Sequence, residues 1–309
     1  FPAPSAIVQA FWDALTTGVL VEHTWITLKR VLLGTAVALR EGSFSLPVFG
    51  LTLVGAALIH LGLNVTNDIF DTLSGADPPN PTPTPFSGGS RVMQYGLMGI
   101  RQMGLLAAAL YGGGLAVGLI LATRRGSELL VPLGAAGVLL SLAYSAPPLR
   151  LAYRGLGELA VAAGFGPIMT LGAYAVQTGR LGWAPLIASL PVGLLIGLVL
   201  YVNEVPDRVG DARAGKHTLV VGLPPGWVVW GYWLAAAAAY LAVGAGVLLG
   251  QMPPAALALW LTVPLAVKVG RYLAGHIGQP YGLIPAMAEQ IRLHLFAGLI
   301  LAAGYLVWP

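Results

Sequence analysis

Hydrophobic residues run along this chain in long, nearly unbroken blocks, and polar residues collect in the gaps between them. A helix rising 1.5 Å per residue needs about 20 mostly apolar residues to cross the ~30 Å hydrocarbon core of a bilayer. The pattern predicts nine such spans, at 24–40, 47–70, 102–123, 128–146, 156–177, 183–205, 227–249, 254–273 and 289–308. Residues 1–23 are more mixed and are expected to form an amphipathic segment lying in the membrane interface. They lack the charged, apolar and cleavage-site order of a signal peptide, and the numbering begins at Phe1 without an initiator Met, so a few residues are expected upstream. The predicted fold class is all-α, a polytopic helical bundle with the nine-helix unit occupying 24–309.

Composition agrees. Of 309 residues, 57% are apolar and only 9% charged, against about 25% charged in soluble domains. Too little polar surface exists to cover a soluble globule. The absence of cysteine removes disulfides, thiolate zinc sites and cysteine nucleophiles. A net charge of +4 is too thin for a nucleic-acid surface, so no nucleic-acid partner is expected and the lipid bilayer is.

The position of the charges says more than their number. Arg91, Arg101, Arg150, Arg154, Arg208, Arg213, Lys216, Arg271 and Arg292 fall on one side of the predicted membrane, and only Arg40, Arg124, Arg125 and Arg180 on the other. Excess Lys and Arg marks the cytoplasmic side. This predicts a multi-pass protein of the cell membrane, with a central cavity open to the cytoplasm and the C-terminus outside. Lys29, Arg30 and Lys268 fall inside spans, where a charge must face a cavity or a partner. Glycine spacings such as Gly114/Gly118 are those of closely packed membrane helices.

Six of the 12 carboxylates lie in two short segments at the cytoplasmic ends of the second and sixth spans. The first runs Asn64-Val-Thr-Asn67-Asp68-Ile-Phe-Asp71 and continues to Asp77; the second runs Asn203-Glu204-Val-Pro-Asp207-Arg208-Val-Gly-Asp211. At about 100° per residue, Asn64, Asp68 and Asp71 share one helix face, and Asn203, Asp207 and Asp211 share another. Pro206 should kink the second helix. Carboxylates on one stripe repel unless a cation holds them. Hard oxygen ligands suit Mg²⁺, which binds through a few carboxylates plus substrate phosphates. Two opposed clusters therefore suit a diphosphate bridged by Mg²⁺, two ions in all. Asp68, Asp71, Asp207 and Asp211 are the expected catalytic metal ligands, with Asn64, Asn67 and Asn203 supporting them and Asp77 a further ligand from the loop. Arg91, Arg150, Arg154, Arg213 and Lys216 are candidates for phosphate oxygens. Tyr144, Tyr174 and Tyr201 are candidates to face a cationic intermediate, against the commoner role of aromatic packing. His60, one turn before Asn64, either packs by a hydrogen bond or touches an acceptor. Glu158 either pairs with Arg150 and Arg154 or positions an acceptor, and Glu204 ranks below the aspartates.

At these residues the chain resembles the UbiA superfamily of intramembrane prenyltransferases. The likeness is closest to its 1,4-dihydroxy-2-naphthoate polyprenyltransferase branch of menaquinone biosynthesis. Asn67-Asp68-x-x-Asp71 is followed by Gly75-Ala76-Asp77 and Gly88-Gly89-Ser90. Tyr144-Ser-Ala-Pro-Pro-Leu-Arg150, Gly155-Leu-Gly-Glu158, Gly164-Phe-Gly-Pro167 and Ala214-Gly-Lys216-His-Thr-Leu219 also look like that branch. Lys29, Arg30 and the proline-rich 78–85 stretch, expected to be extended polyproline II, depart from it. The resemblance implies Mg²⁺-dependent transfer from a polyprenyl diphosphate donor to an aromatic acceptor, giving demethylmenaquinone with loss of the acceptor carboxylate. Other UbiA-type acceptors (a hydroxybenzoate, a glyceryl-phosphate lipid) stay open, and an ion-coupled transporter is the reading from a different class.

Overall fold

The structure, a computed structural model, describes residues 19–76, 84–87 and 89–308, with the side chains of 19–26, 29, 30 and 127 outside the description. The predicted interfacial segment up to residue 18, Lys29, Arg30, Asp77 and most of the proline-rich stretch therefore lie outside the described residues. The chain folds into long helices: α1 (Val19–Arg40), α2 (Leu46–Ser74), α3 (Ile100–Arg125), α4 (Ser127–Ser145), α5 (Gly157–Thr178), α6 (Trp183–Glu204), two short helices α7 (Arg208–Arg213) and α8 (Leu219–Gly222), then α9 (Pro225–Leu248), α10 (Pro254–His276) and α11 (Pro280–Val307). Among the described residues there are no strands, and eight helices are long and apolar enough to cross a membrane. The described apolar part of α1 is the shorter Val31–Arg40.

Eight of the nine predicted spans coincide with helices long and apolar enough to cross a membrane, the first falls on α1, and two boundaries move. Helix α1 begins at Val19, inside the stretch expected to lie in the interface. Helix α11 begins at Pro280, well ahead of residue 289, because Pro280 and Pro285 stand in first turns, where their missing N–H groups interrupt no ladder, and polar side chains in its first half find partners inside the bundle. Gln290 donates to Leu195 O at 3.0 Å and accepts from Tyr232 Oη at 3.2 Å. Glu289 pairs with Lys268 at 2.6 Å and Arg292 at 3.3 Å, which gives the intramembrane Lys268 its partner.

Helix α6 is the most buried span, contacting α1, α5, α9 and α11. Leu33, Leu195, Val202, Tyr232, Leu273, Leu293 and Leu301 form its surrounding core. Outward-facing side chains are equally apolar, among them Leu248, Leu261 and Trp183, as lipid contact requires. Two helices meet backbone to backbone where glycine allows it. A Cβ at Gly193 would stand 2.7 Å from Ala162 O, and one at Gly166 2.7 Å from Gly193 Cα. Here α5 widens into a π-turn over Gly164–Ile168, because Pro167 has no N–H to give the helical ladder. This crossing locks the middle of α5 against the middle of α6.

Adding a side chain at that crossing should cost what overpacking costs. Gly193→Val is expected to destabilise the solubilised protein by about 1–3 kcal/mol. Gly112→Ala, with nothing within 4 Å of the new methyl, should be neutral or slightly stabilising. Thermal unfolding of both variants checks this, and equal midpoints would contradict the close contact.

Candidate active site

Helix α2 ends where Gly75 takes a left-handed turn (φ 79°), so Asn64, Asn67, Asp68 and Asp71 occupy its last turns. Helix α6 stops at Glu204 because Pro206 cannot continue the ladder; Asp207 N bonds back to Glu204 O at 3.1 Å, and a new helix starts at Arg208. Asn203, Asp207 and Asp211 are thus spread over a helix end, a turn and a short helix, rather than lying on one continuous stripe. The break leaves Asp211 on α7 within reach of Lys216, which also meets Asp71 at the end of α2.

Lys216 joins the two motifs. Its ammonium lies 2.9 Å from Asp71 Oδ2 and 3.9 Å from Asp211 Oδ1, with all three side chains largely buried. The sequence, with no cation within either stripe, pointed only to a metal between them and assigned Lys216 to phosphate. Burial disfavours the Lys216 ammonium, but Asp71 and Asp211 outweigh it and hold its pKa well above the usual range. Burial raises the Asp211 carboxyl to about 7; the neighbouring charges of Asp207 and Asp71 add to this, and Lys216 opposes it.

Other partners complete the cluster. Asn67 donates to Asp71 Oδ2 at 3.2 Å and to Ser145 Oγ at 2.9 Å. The Tyr153 hydroxyl donates to Asp71 Oδ1, with Ser74 Oγ 2.7 Å away. Burial, followed by the Asp71 carboxylate, pushes the Tyr153 hydroxyl pKa up. Ser87 donates to Asp207 at 3.1 Å, and Ser90 donates to Asp68 through its hydroxyl, so the segment after α2 closes over both motifs. Arg150, itself left-handed (φ 45°), stacks 4.1 Å from the Tyr153 ring centre.

Not every predicted residue comes here. Arg154 is exposed and donates to Pro148 O at 2.9 Å. Arg213 is exposed on α7, and Arg91 is half-buried beside Ser90 with φ 58°. Tyr174 binds Glu41 at 2.6 Å, and Glu41 pairs with Arg180 at the far end of the bundle, away from both motifs. Tyr201 donates to Val228 O at 2.9 Å. Asn64 Nδ2 and Asn203 Oδ1 are buried without hydrogen-bond partners. His60 lies 2.9 Å from Thr27 Oγ1, and its ring meets Phe165 edge-on at 4.7 Å.

Below the cluster lies an apolar cavity of about 490 Å³ between α2, α3, α4 and α5, with Ile59, His60, Leu63, Tyr144 and Phe165 in its wall. Tyr144 also lies within the electrostatic reach of Asp71, Lys216, Glu158 and Glu204, so it connects cavity and charges. Among the described residues no three carboxylate or imidazole groups converge tightly enough to hold a cation unaided. The donors are hard oxygens, and the ammonium already drawn between Asp71 and Asp211 shows that the site attracts positive charge. Such a set fits Mg²⁺ that completes its shell with phosphate oxygens.

Sequence reasoning missed Tyr153, Ser145, Ser87 and Ser90 as members of the site. Ser90 stands in the recognised Gly-Gly-Ser, and Tyr153 between two flagged arginines, but nothing local marks either as a partner of an aspartate. Tyr153 is brought in by a non-local backbone bond, from His217 N to Tyr153 O at 3.2 Å.

Comparison with known proteins gives the same picture. A 2-carboxy-1,4-naphthoquinone phytyltransferase of Synechocystis is 30% identical over 282 residues, covering 91% of this chain and 89% of the relative. A 1,4-dihydroxy-2-naphthoate octaprenyltransferase of Bacillus subtilis is 26% identical over 306 residues, covering 99% and 95%. Among solved structures, an apo UbiA homolog from Aeropyrum pernix superposes with TM-score 0.69 at 19% identity, covering 93% of this chain and 98% of its own. A UbiA homolog from Archaeoglobus fulgidus bound to GPP and Mg²⁺ superposes with TM-score 0.60 at 17% identity, covering 92% and 98%. At these identities the two structures speak to the fold alone. The sequence pattern of UbiA prenyltransferases matches residues 30–278, most of the chain. This protein, a multi-pass membrane transferase, belongs to the UbiA prenyltransferase family.

Proposed function

We propose that the chain transfers a polyprenyl group from its diphosphate to 1,4-dihydroxy-2-naphthoate, at the cytoplasmic face of the cell membrane, with two Mg²⁺ ions. The observation that carries this reading is the meeting of both acidic motifs around Lys216, which Tyr144 links to an apolar cavity. The acceptor is supported by the names of the Synechocystis and Bacillus relatives, and the donor and metal by the GPP and Mg²⁺ in the Archaeoglobus protein.

Asp68, Asp71, Asp207 and Asp211 would hold the metal, with Asn64, Asn67, Asn203 and the undescribed Asp77. Magnesium, when bound, supplies Lewis acidity and a template for the diphosphate. The protein's own residues do the rest. Lys216 and Arg150 present cationic groups to phosphate oxygens, and Asn67 and Tyr153 fix the Asp71 carboxylate by hydrogen bonds. As the donor C–O bond breaks, diphosphate leaves and an allylic cation remains, which water would quench. The cavity walls exclude water, and the Tyr144 and Phe165 faces stabilise positive charge. The acceptor ring carbon that bears the carboxylate then forms the new C–C bond, and the carboxylate leaves as CO₂, its bonding pair returning to the ring. The polyprenyl tail needs only apolar contact, which the cavity offers.

Two outcomes are expected of the full chain in proteoliposomes. Asp71→Asn and Asp207→Asn should each lower product formation by about 100-fold or more while the protein stays folded, and excess chelator should stop the wild type. Full activity in either case refutes metal-assisted transfer. Turnover of a hydroxybenzoate or glyceryl-phosphate acceptor in place of the naphthoate would reassign the acceptor alone. Tyr153→Phe, which removes one hydrogen bond to Asp71, should reduce kcat/KM roughly tenfold. Arg154→Gln, whose guanidinium is turned to Pro148 O, should change it by less than about twofold. Equal losses in the two would contradict the geometry.

A further inference from the structure

Two glutamates stand beside this site without a role in it. Glu158, in the first turn of α5, is 7% exposed, and neither of its carboxyl oxygens has a hydrogen-bond partner. Glu204, the last residue of α6, is 6% exposed, and its Oε2 is likewise without one. The two carboxyls lie in each other's field and within hydrogen-bonding reach of one another, so any partner beyond each other must come from outside the protein. Burying an unpaired carboxylate is unfavourable, and two facing ones more so.

Neither nearby cation pairs closely with them. The Lys216 ammonium is hydrogen-bonded to Asp71, and the Arg208 guanidinium donates to Leu223 O. The expected partnership of Glu158 with Arg150 and Arg154 is not formed either: Arg150 stacks on Tyr153 and Arg154 bonds Pro148 O. The juxtaposition is nevertheless rigid. A Cβ at Gly197 would stand 3.1 Å from Glu158 O, so α6 presses directly on the first turn of α5. Gly197, Tyr201 and Glu204, spaced i, i+4, i+7, share the face that does so. The result is a fixed set of acceptor oxygens, which calls for a ligand that brings O–H or N–H donors.

The surroundings narrow the ligand's class. Tyr144, whose Cε2 would lie 3.5 Å from a Cβ at Gly157, is in the cavity wall and in reach of Glu158, Glu204, Asp71 and Lys216 together. A flat ring against Tyr144 therefore has the glutamates and the diphosphate subsite both at hand. We infer that Glu158 and Glu204 form a phenol-binding subsite, accepting hydrogen bonds from the ring hydroxyls of the aromatic acceptor and so positioning it, separate from the diphosphate subsite around Asp71. This rests on the proposed transfer to an aromatic diol.

Kinetics of the reconstituted full chain test it. Glu158→Gln and Glu204→Gln keep side-chain shape and polarity at positions where burial disfavours charge, so both should fold. Each is expected to raise KM for 1,4-dihydroxy-2-naphthoate roughly ten- to a hundredfold and to leave KM for the prenyl diphosphate within about twofold. The variants should also lose the wild type's preference for the dihydroxy compound over 1-hydroxy-2-naphthoate as a competitive ligand. A purely structural pair would instead raise the unfolding midpoint and leave both KM values and the preference unchanged; that result, or a parallel rise in both KM values, overturns the subsite. A wild type inert toward every phenolic acceptor overturns the subsite and the proposed reaction together, whereas an active wild type with unaltered variants overturns the subsite alone.

Discussion

A buried ammonium between two buried carboxylates is the contact on which the architecture at this end of the bundle depends. Lys216 belongs to a loop, Asp71 to the end of α2 and Asp211 to α7. In a medium of low dielectric none of the three charges can be left alone without a penalty of several kcal/mol. Their mutual satisfaction ties together segments far apart in sequence. Two carboxylates against one ammonium still leave an excess of negative charge, and Asp68 and Asp207 add to it from the edges. The cluster is therefore held together and unsatisfied at once, the condition for recruiting a further cation with an anionic ligand.

Beneath this cluster, packing rather than charge sets positions. The Gly166–Gly193 crossing brings α5 and α6 to backbone contact, and Gly197 against Glu158 O continues it toward the first turn of α5, with Glu158 within reach of Glu204. A lipid-immersed helix pair gains nothing by burying leucine against leucine, since lipid is just as apolar; it gains by close approach. The same feature that stabilises the bundle thus fixes two carboxyl groups where burial is least favourable. Interactions at the opposite end, where Tyr174 and Arg180 meet Glu41, leave the reacting end unencumbered.

Much of this was legible in the sequence, for physical reasons that differ by residue. Spans were readable because a bilayer demands uninterrupted apolar length; the start of α11 was not, since Pro280, Gly282 and Pro285 read as breakers, whereas here both prolines stand in first turns, where a missing N–H is tolerated. Asp68 and Asp71 were readable because helical periodicity places them without tertiary information. Asp207 and Asp211 were readable as a cluster but not as a shape, since Pro206 converts a stripe into a turn. Tyr153, Lys216's position between the aspartates and the direction of Arg154 depend on a loop-to-loop backbone bond that no local spacing encodes. His60 could be placed by spacing on the Asn64 face, but its neighbours Thr27 and Phe165 and its place in the cavity wall come from other helices and could not.

The cavity wall carries one more implication. Leu115, Leu119 and Val131 line the cavity and are also exposed on the outer flank of α3 and α4. That flank faces acyl chains, so the proposed isoprenoid reagent meets the protein by lateral diffusion within a sheet of lipid. Its effective concentration is a mole fraction of the bilayer, insensitive to the volume of the surrounding aqueous phase. Reaction rate then scales with how far the membrane is diluted by other lipids, and the bilayer itself becomes the vessel in which the chemistry is metered.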